Sequence, residues 1–189
     1  AVPLSDFWCE NLSRENMVVT TGRFAKDKRQ LSQIGIAQHL PDFDFHIFGF
    51  SGSSNYFQKC RDYIKVNQID NVYLHPDASF SEMVECLQRA KYFLHTLINE
   101  PFGLTAVQAM AAGCIPVVHD SGGQVEAVPV SNLRYSKFEQ VPGIFHNLDS
   151  LARKDIDMIR SQLQSHVRSQ YGEPIFDSKI KSELIKVLA

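Results

Sequence analysis

Asn99-Glu-Pro-Phe-Gly-Leu-Thr-Ala-Val-Gln-Ala-Met-Ala-Ala-Gly113, followed at once by Cys114-Ile-Pro-Val-Val-His119, is the stretch from which the rest of the chain can be read. It places an acid just past the apolar run Tyr92 to Leu97, then turns through Pro101 and Gly103 into a run of small residues. Gly113 stops that run and a β-branched strand follows. Strand, turn, helix and strand in so few residues mark an α/β unit. An acid and a glycine turn at a helix start also make a place for polar ligands, because the first N–H groups of a helix are unpaired and its dipole favours anions. The Ala-rich helix must bring its backbone close to a sheet or to a ligand.

Working outward, the same alternation recurs on both sides. Met17 to Thr21 reads as a strand, Lys28 to Leu40 as a helix ended by Pro41, and Phe45 to Gly49 as a second strand. Tyr56, Phe57, Cys60, Tyr63 and Ile64 form a helical stripe before the strand Asn71 to Leu74. Ser79-Phe-Ser-Glu82 is a capping-box sequence that opens a helix with Phe80, Met83, Val84, Leu87 and Ala90 inward. Tyr92 to Leu97 and Ile115 to His119 are further strands. Leu133 to Glu139 has no clear pattern, and Gly143-Ile-Phe145 is a candidate last strand. Asp155 to Tyr171 reads as a helix, Pro174 breaks it, and Asp177 to Leu188 reads as a final helix. Strands alternating with helices of this length require right-handed crossovers and a parallel sheet covered on both faces. The expected fold is a doubly wound α/β domain, Rossmann-like, which binds ligands outside the carboxyl ends of its strands. Residues 1–15, polar and carrying Phe7 and Trp8, read as a linker; residues 16–189 read as the domain, with C-terminal helices from about 155.

The totals set bounds. At 189 residues the chain fits one domain, with 44% hydrophobic and 21% charged residues. A formal net charge of −2 gives no general attraction to nucleic acid or anionic membranes. No apolar run approaches the roughly 20 residues of a membrane span. Cys9, Cys60, Cys86 and Cys114 form no C-x-x-C pair, and the seven histidines show no ligand spacing, so neither a zinc site nor a disulfide framework is expected. Buried thiols point to a reducing, cytoplasmic compartment.

The candidates for chemistry lie just past strand ends. Gly22-Arg23-Phe-Ala-Lys-Asp-Lys28 places an arginine fork and a mobile lysine where both can converge on one diphosphate, although taken alone they read more readily as solvated helix-start residues. Glu100, Gly103, Leu104 and Gln108 form the second group, against the plainer reading of Pro101 and Gly103 as turn punctuation and Glu100 as a surface acid. Asp120-Ser121-Gly122-Gly123 is a third, anion-friendly helix start. His95, inside an apolar strand, reads as a satisfied core histidine rather than a base; His75, before Pro76 at a strand end, has better access to a cleft. The chain has no G-x-G-x-x-G and no Walker motif, so dehydrogenase and P-loop readings lack support.

Taken together, these pieces resemble the nucleotide-sugar-binding C-terminal domain of retaining GT-B glycosyltransferases of group 1 (family 4). Gly22, Arg23 and Lys28 match that family's Gly-Arg…Lys turn. Glu100-Pro-Phe-Gly-Leu104 and Ala109-Met-Ala-Ala-Gly113 match its acidic turn and helix, and Pro116-Val-Val118 and Gly122-Gly-Gln-Val-Glu126 match the elements that follow. His95-Thr-Leu-Ile-Asn-Glu-Pro-Phe-Gly103 is similar to lipid-linked-oligosaccharide mannosyltransferases. The resemblance implies that Arg23, Lys28 and Glu100 do the catalytic work: the two cations hold the donor diphosphate, and Glu100 binds sugar hydroxyls. It implies that Gly22, Phe102, Gly103 and Leu104 shape the donor site, and that His75-Pro76 seats the base. Where the family commonly has a second glutamate on the ribose, this chain has Gln108, which can still bond a hydroxyl but without charge.

The implied donor is a nucleoside-diphosphate sugar, GDP-mannose or a UDP-sugar, used with retention and without a metal or other cofactor. The implied acceptor is a saccharide or lipid-linked sugar bound by an N-terminal domain not found in this sequence, so the chain reads as half an enzyme. Its cytoplasmic placement would extend to the membrane face only through that domain. The competing readings are a glycogen-synthase-like transferase, a nucleotide-sugar epimerase, a noncatalytic nucleotide-sugar-binding module, and an unrelated nucleotide-binding α/β domain.

Overall fold

In the computed structural model, which describes residues 4–9, 13–52 and 55–172, five of the anticipated strands pair in parallel around the first of them. The strands are β1 (Glu15–Thr21), β2 (Asp44–Gly49), β3 (Val72–Pro76), β4 (Ala90–His95), β5 (Ile115–His119) and β6 (Arg134–Tyr135), in the spatial order β3-β2-β1-β4-β5-β6. Every pairing is parallel. The chain runs outward from β1 to β3, then crosses back to lay β4 on the other side of β1. The sheet is therefore doubly wound, and its direction reverses between β1 and β4, where such sheets bind ligands. Val18, Val19, Phe45, Ile47, Phe93, Leu94, Val117 and Val118 are all nearly fully buried, the continuous apolar run expected of strands covered on both faces.

The helices are α1 (Gln30–Ala37), α2 (Tyr56–Val66), α3 (Phe80–Arg89), α4 (Leu104–Ala111), α5 (Gln124–Ala127), α6 (Val141–Asp149) and α7 (Arg153–Tyr171). The capping box of α3 forms as its sequence requires: the Ser79 N–H donates to the Glu82 carboxylate at 2.8 Å, and the Glu82 N–H donates to Ser79 Oγ at 3.3 Å. The small residues of α4 serve packing within the fold. Ala106, Ala109 and Ala111 are buried where α4 lies on α7, whose Gln164 donates to the Ala111 carbonyl at 3.1 Å. The C-terminal end of α4 is closed by two arginines: Arg14 donates to the Ala112 carbonyl at 2.8 Å and Arg160 to the Gly113 carbonyl at 2.8 Å.

Four local expectations change. Gly143-Ile-Phe145 is part of α6, because Pro142 sits in its first turn and Phe145 packs among Phe43, Phe45 and Tyr92. The last strand is instead Arg134–Tyr135, inside the stretch that showed no pattern; two residues are too few for alternation to register. The helix expected from Lys28 begins at Gln30, because Lys26–Lys28 forms a 3-10 turn and Arg29 takes a left-handed φ of 56°. Phe80, expected inward, is 52% exposed as the first residue of α3, with its ring edge-on to buried Phe7 at 5.5 Å. The leading segment docks through that Phe7 and through Trp8, which lies under the Arg168 guanidinium at 4.6 Å. The helix expected over Asp177 to Leu188 lies outside the described residues. No helix of the described residues is long and apolar enough to cross a membrane.

Candidate functional site

Two loops meet at the reversal point, one after β1 and one after β4. The β1 loop is tied to the neighbouring strand by Gly22 N donating to the Phe48 carbonyl at 3.0 Å and Phe24 N to the Phe50 carbonyl at 2.9 Å. Gln30 of α1 reaches back and donates to the Arg23 carbonyl at 2.9 Å. Thr96, just past β4, accepts from buried Gln33 at 2.6 Å and donates to the Lys28 carbonyl at 2.8 Å. This chain of bonds straps the lysine backbone to the β4 loop.

The side chains follow. Lys28 Nζ lies 3.2 Å from Glu100 Oε2, both groups largely buried at 23% and 16% exposure. Residues 72 apart in sequence thus form one charged pair at the switch point. Arg23 does not join them: its guanidinium is 65% exposed and pairs with Asp27 at 3.1 Å. An exposed pair of this kind contributes about 0.2–0.5 kcal/mol, so an anionic ligand can displace Asp27 at little cost. The two cations expected to converge on a diphosphate therefore flank the β1 loop, each held by a carboxylate.

The Glu100 turn is fixed by the segment after β5. Gly123 N donates to the Glu100 carbonyl at 2.7 Å and Asn99 N to Ser121 Oγ at 2.8 Å. A Cβ at Gly123 would collide with the Pro101 carbonyl, and one at Gly122 with the Glu100 carbonyl, so both glycines are required by close backbone approach. The Asp120–Gly123 segment thus supports the neighbouring turn. The helix it precedes, α5, spans only Gln124–Ala127. Gly103 caps α4 with a left-handed φ of 68°, and a Cβ there would fall 2.9 Å from that of Ala127. Phe102 and Leu104 project outward, at 71% and 42% exposure, while Gln108 is half-buried one turn into α4.

His95 ends β4 directly behind this pair. It is 3% exposed, its Nδ1 is 2.8 Å from Gln124 Oε1, and its Nε2 is 3.8 Å from Glu100 Oε2. Burial pulls its pKa down to about 4; Glu100 opposes that shift and Lys28 adds to it. The sequence reading of a satisfied core histidine holds for Nδ1, while Nε2 faces the site. Gln124 and Gln33 carried no signal in the sequence, because a buried amide has no pattern of its own.

His75 and Pro76 sit on the edge strand β3, separated from β1 by β2. His75 Nε2 is 3.0 Å from His46 Nδ1 and its ring stacks on Phe48 at 4.2 Å, and burial lowers its pKa. A cavity of about 550 Å³ opens past the ends of β1, β2 and β3, lined by Gly22, Arg23, Phe50, Asp77, Phe80 and Met83, without His75 or Pro76. A second, of about 950 Å³, lies on the other side of the β1 loop among Lys26, Arg29, Tyr56, Lys59, Leu97 and Ile98. No cluster of three metal-ligating side chains occurs among the described residues.

The doubly wound sheet with a cation–carboxylate pair at its reversal point is a Rossmann-like domain, and solved glycosyltransferase structures share its fold. Sucrose-phosphate synthase from Thermosynechococcus elongatus superposes with a TM-score of 0.84 at 14% identity, covering 98% of this chain and 50% of that one. The C-terminal domain of a group 1 family glycosyl transferase from Francisella tularensis superposes at 0.74 and 18% identity, covering 92% and 100%. The chain belongs to the glycosyl transferases group 1 family, whose profile matches residues 7–132. Among curated relatives, GDP-Man:Man(3)GlcNAc(2)-PP-Dol alpha-1,2-mannosyltransferase of Mus musculus is 31% identical over 121 residues, 57% of this chain and 25% of that protein. The protein of the same name from Neurospora crassa is 48% identical over 54 residues, 29% of this chain and 10% of that protein. The chain thus spans a quarter or less of these two relatives.

Proposed function

We propose that this chain is the donor-binding part of a glycosyltransferase that takes its sugar from a nucleoside diphosphate, with GDP-mannose the first candidate, and passes it to a saccharide or lipid-linked acceptor with retention. The observation that carries the reading is the Lys28–Glu100 pair, 3.2 Å apart at the reversal point of the sheet. A cation and a carboxylate side by side suit a ligand whose diphosphate adjoins a hydroxyl-rich ring. Lys28, joined by Arg23 once it leaves Asp27, would hold the diphosphate and stabilise the charge that develops on the leaving group. Glu100 would accept from sugar hydroxyls. Gly22, Gly103, Leu104 and exposed Phe102 would line the site, and Gln108 would reach the ribose. The cavity bounded by Phe50, Asp77 and Phe80 is a better seat for the base than His75-Pro76, because the His75 ring is occupied by His46 and Phe48.

The relatives' names support a guanosine donor, since they are GDP-Man-dependent. The acceptor would be held by a second domain, and this chain on its own would bind nucleotide but transfer little sugar. The cytoplasmic placement is supported by Cys60, Cys86 and Cys114, buried thiols whose pKa values burial pushes up to about 12, 11 and 12. Calorimetric titration with GDP, UDP and ADP tests the donor reading. GDP should bind most tightly; no heat from any of the three up to millimolar concentration would overturn it.

A further inference from the structure

The tautomer of His95 can be read from its partners. The Gln124 amide nitrogen lies 2.9 Å from the Leu97 carbonyl and 3.4 Å from the His119 carbonyl. Only an N–H group satisfies two carbonyls, so the amide oxygen is the end that faces His95, and His95 Nδ1 must donate to it. Gln124 is fully buried and follows the Gly122–Gly123 turn, whose backbone packs closely on Glu100 and Pro101, so its amide is held by its three partners. With the proton on Nδ1, the neutral ring presents a bare lone pair at Nε2.

That lone pair faces Glu100 Oε2 across 3.8 Å. The described residues give Nε2 no donor. Two acceptors confronting each other at the edge of a low-dielectric site repel unless a donor comes between or beside them. Protonating His95 would resolve the conflict, but burial and the Lys28 ammonium both oppose it. Lys28 already donates to Glu100 and helps only that side of the pair. What remains is a donor from outside the chain: water while the cleft is open, and, once a ligand displaces that water, a molecule bearing hydroxyl donors at adjacent positions, one for the carboxylate and one for the imidazole.

We propose that His95 Nε2 is a specificity-determining acceptor for a second hydroxyl of the donor sugar, beside the hydroxyl taken by Glu100, and that Gln124 is the positioning residue that holds His95 in the accepting tautomer. The proposal rests on the reading of this cleft as a sugar-nucleotide site and adds to it a rule of selection. A site built to hydrogen-bond a hydroxyl rejects the analogue that lacks it, because its acceptor is then left buried and unpaired.

The test measures the sugar's share of binding by itself. The chain is titrated with GDP, GDP-mannose and the four monodeoxy GDP-mannoses, and each dissociation constant is divided into that of GDP. Removal of one particular hydroxyl besides that read by Glu100 should weaken the wild-type complex about five- to tenfold. In His95→Phe that same removal should matter less than about twofold, read against that variant's own affinity for GDP. Gln124→Met should lose the same discrimination, since nothing then fixes the tautomer. The ring nitrogens of wild-type His95, followed by long-range proton–nitrogen NMR, need no variant. Nε2 should be unprotonated at neutral pH and move upfield with GDP-mannose but not with GDP.

Unchanged discrimination in His95→Phe, or a proton on Nε2 in the free chain, overturns the proposal while leaving the donor reading intact. If no nucleotide binds at all, the donor reading falls and takes the proposal with it.

Discussion

Replacing His95 with phenylalanine should flatten the acid side of the stability curve. The imidazole is buried between Gln124, Glu100 and Lys28, and its pKa is about 4 in the folded chain against 6.5 for an ordinary histidine. Above pH 6.5 the ring is neutral in both folded and unfolded chains, and it contributes nothing to pH dependence. As pH falls below 6.5 the unfolded chain takes up a proton that the folded chain refuses, so stability declines by about 1.4 kcal/mol for each pH unit. The decline ends near pH 4, where the folded chain accepts the proton as well. Across that window this one side chain removes about 3 kcal/mol, a large part of the stability of an ordinary domain. Phenylalanine keeps the shape and cannot titrate. It leaves Gln124 Oε1 without its donor, which costs about 1–3 kcal/mol at every pH but adds no slope. His46 and His75, whose pKa values burial also lowers, act in the same direction in both proteins and cancel in the comparison. Urea unfolding of wild type and His95→Phe at half-unit steps from pH 7.5 to 4 is the assay. The stability of wild type relative to the variant should fall by about 3 kcal/mol between pH 6.5 and 4, closing or reversing the initial gap; parallel curves would refute a buried, neutral imidazole.

Three further outcomes are expected. Gly123→Ala drives a methyl group into the Pro101 carbonyl and should lower the melting temperature by about 5 °C or more, with loss of nucleotide binding as the Glu100 turn shifts; an unchanged melting curve would mean that the two loops are not latched. Arg23→Ala should weaken GDP about tenfold and leave guanosine untouched, and equal losses for both would remove the arginine from the phosphate site. Gln108→Glu should tighten GDP several-fold by restoring a charge-assisted bond to the ribose; unchanged affinity would show that the ribose lies elsewhere.

How much of this was legible in the sequence depends on the kind of interaction. The parallel sheet was, because β-branched runs alternating with helical stripes leave few topologies, and the Glu100 turn was, because proline, glycine and an acid have local consequences. That Lys28 and Glu100 serve one site followed only from family likeness, and their direct ion pair was not legible at all, since nothing within either segment points across 72 residues to the other. Gln33, Thr96 and Gln124, which fix the two loops, were invisible because a buried amide or hydroxyl is specified by where its partner arrives, not by periodicity. The Gly122–Gly123 turn was visible as a turn, but the reason for it, backbone packing against Glu100 and Pro101, needed the third dimension. The two-residue strand β6 and helix α6 were missed because two residues carry no period and Gly143 reads against a helix in sequence.

The central claim is that the loops after β1 and β4 together hold the diphosphate sugar. Backbone amide shift mapping during titration with GDP-mannose tests it most directly. The largest changes should fall on Gly22 to Lys28 and Glu100 to Leu104, with smaller ones at Asp77 to Phe80. Changes gathered instead at the opposite end of the sheet, around the cavity of about 310 Å³ lined by Arg14, Tyr92, Asp149 and Arg160, would contradict it.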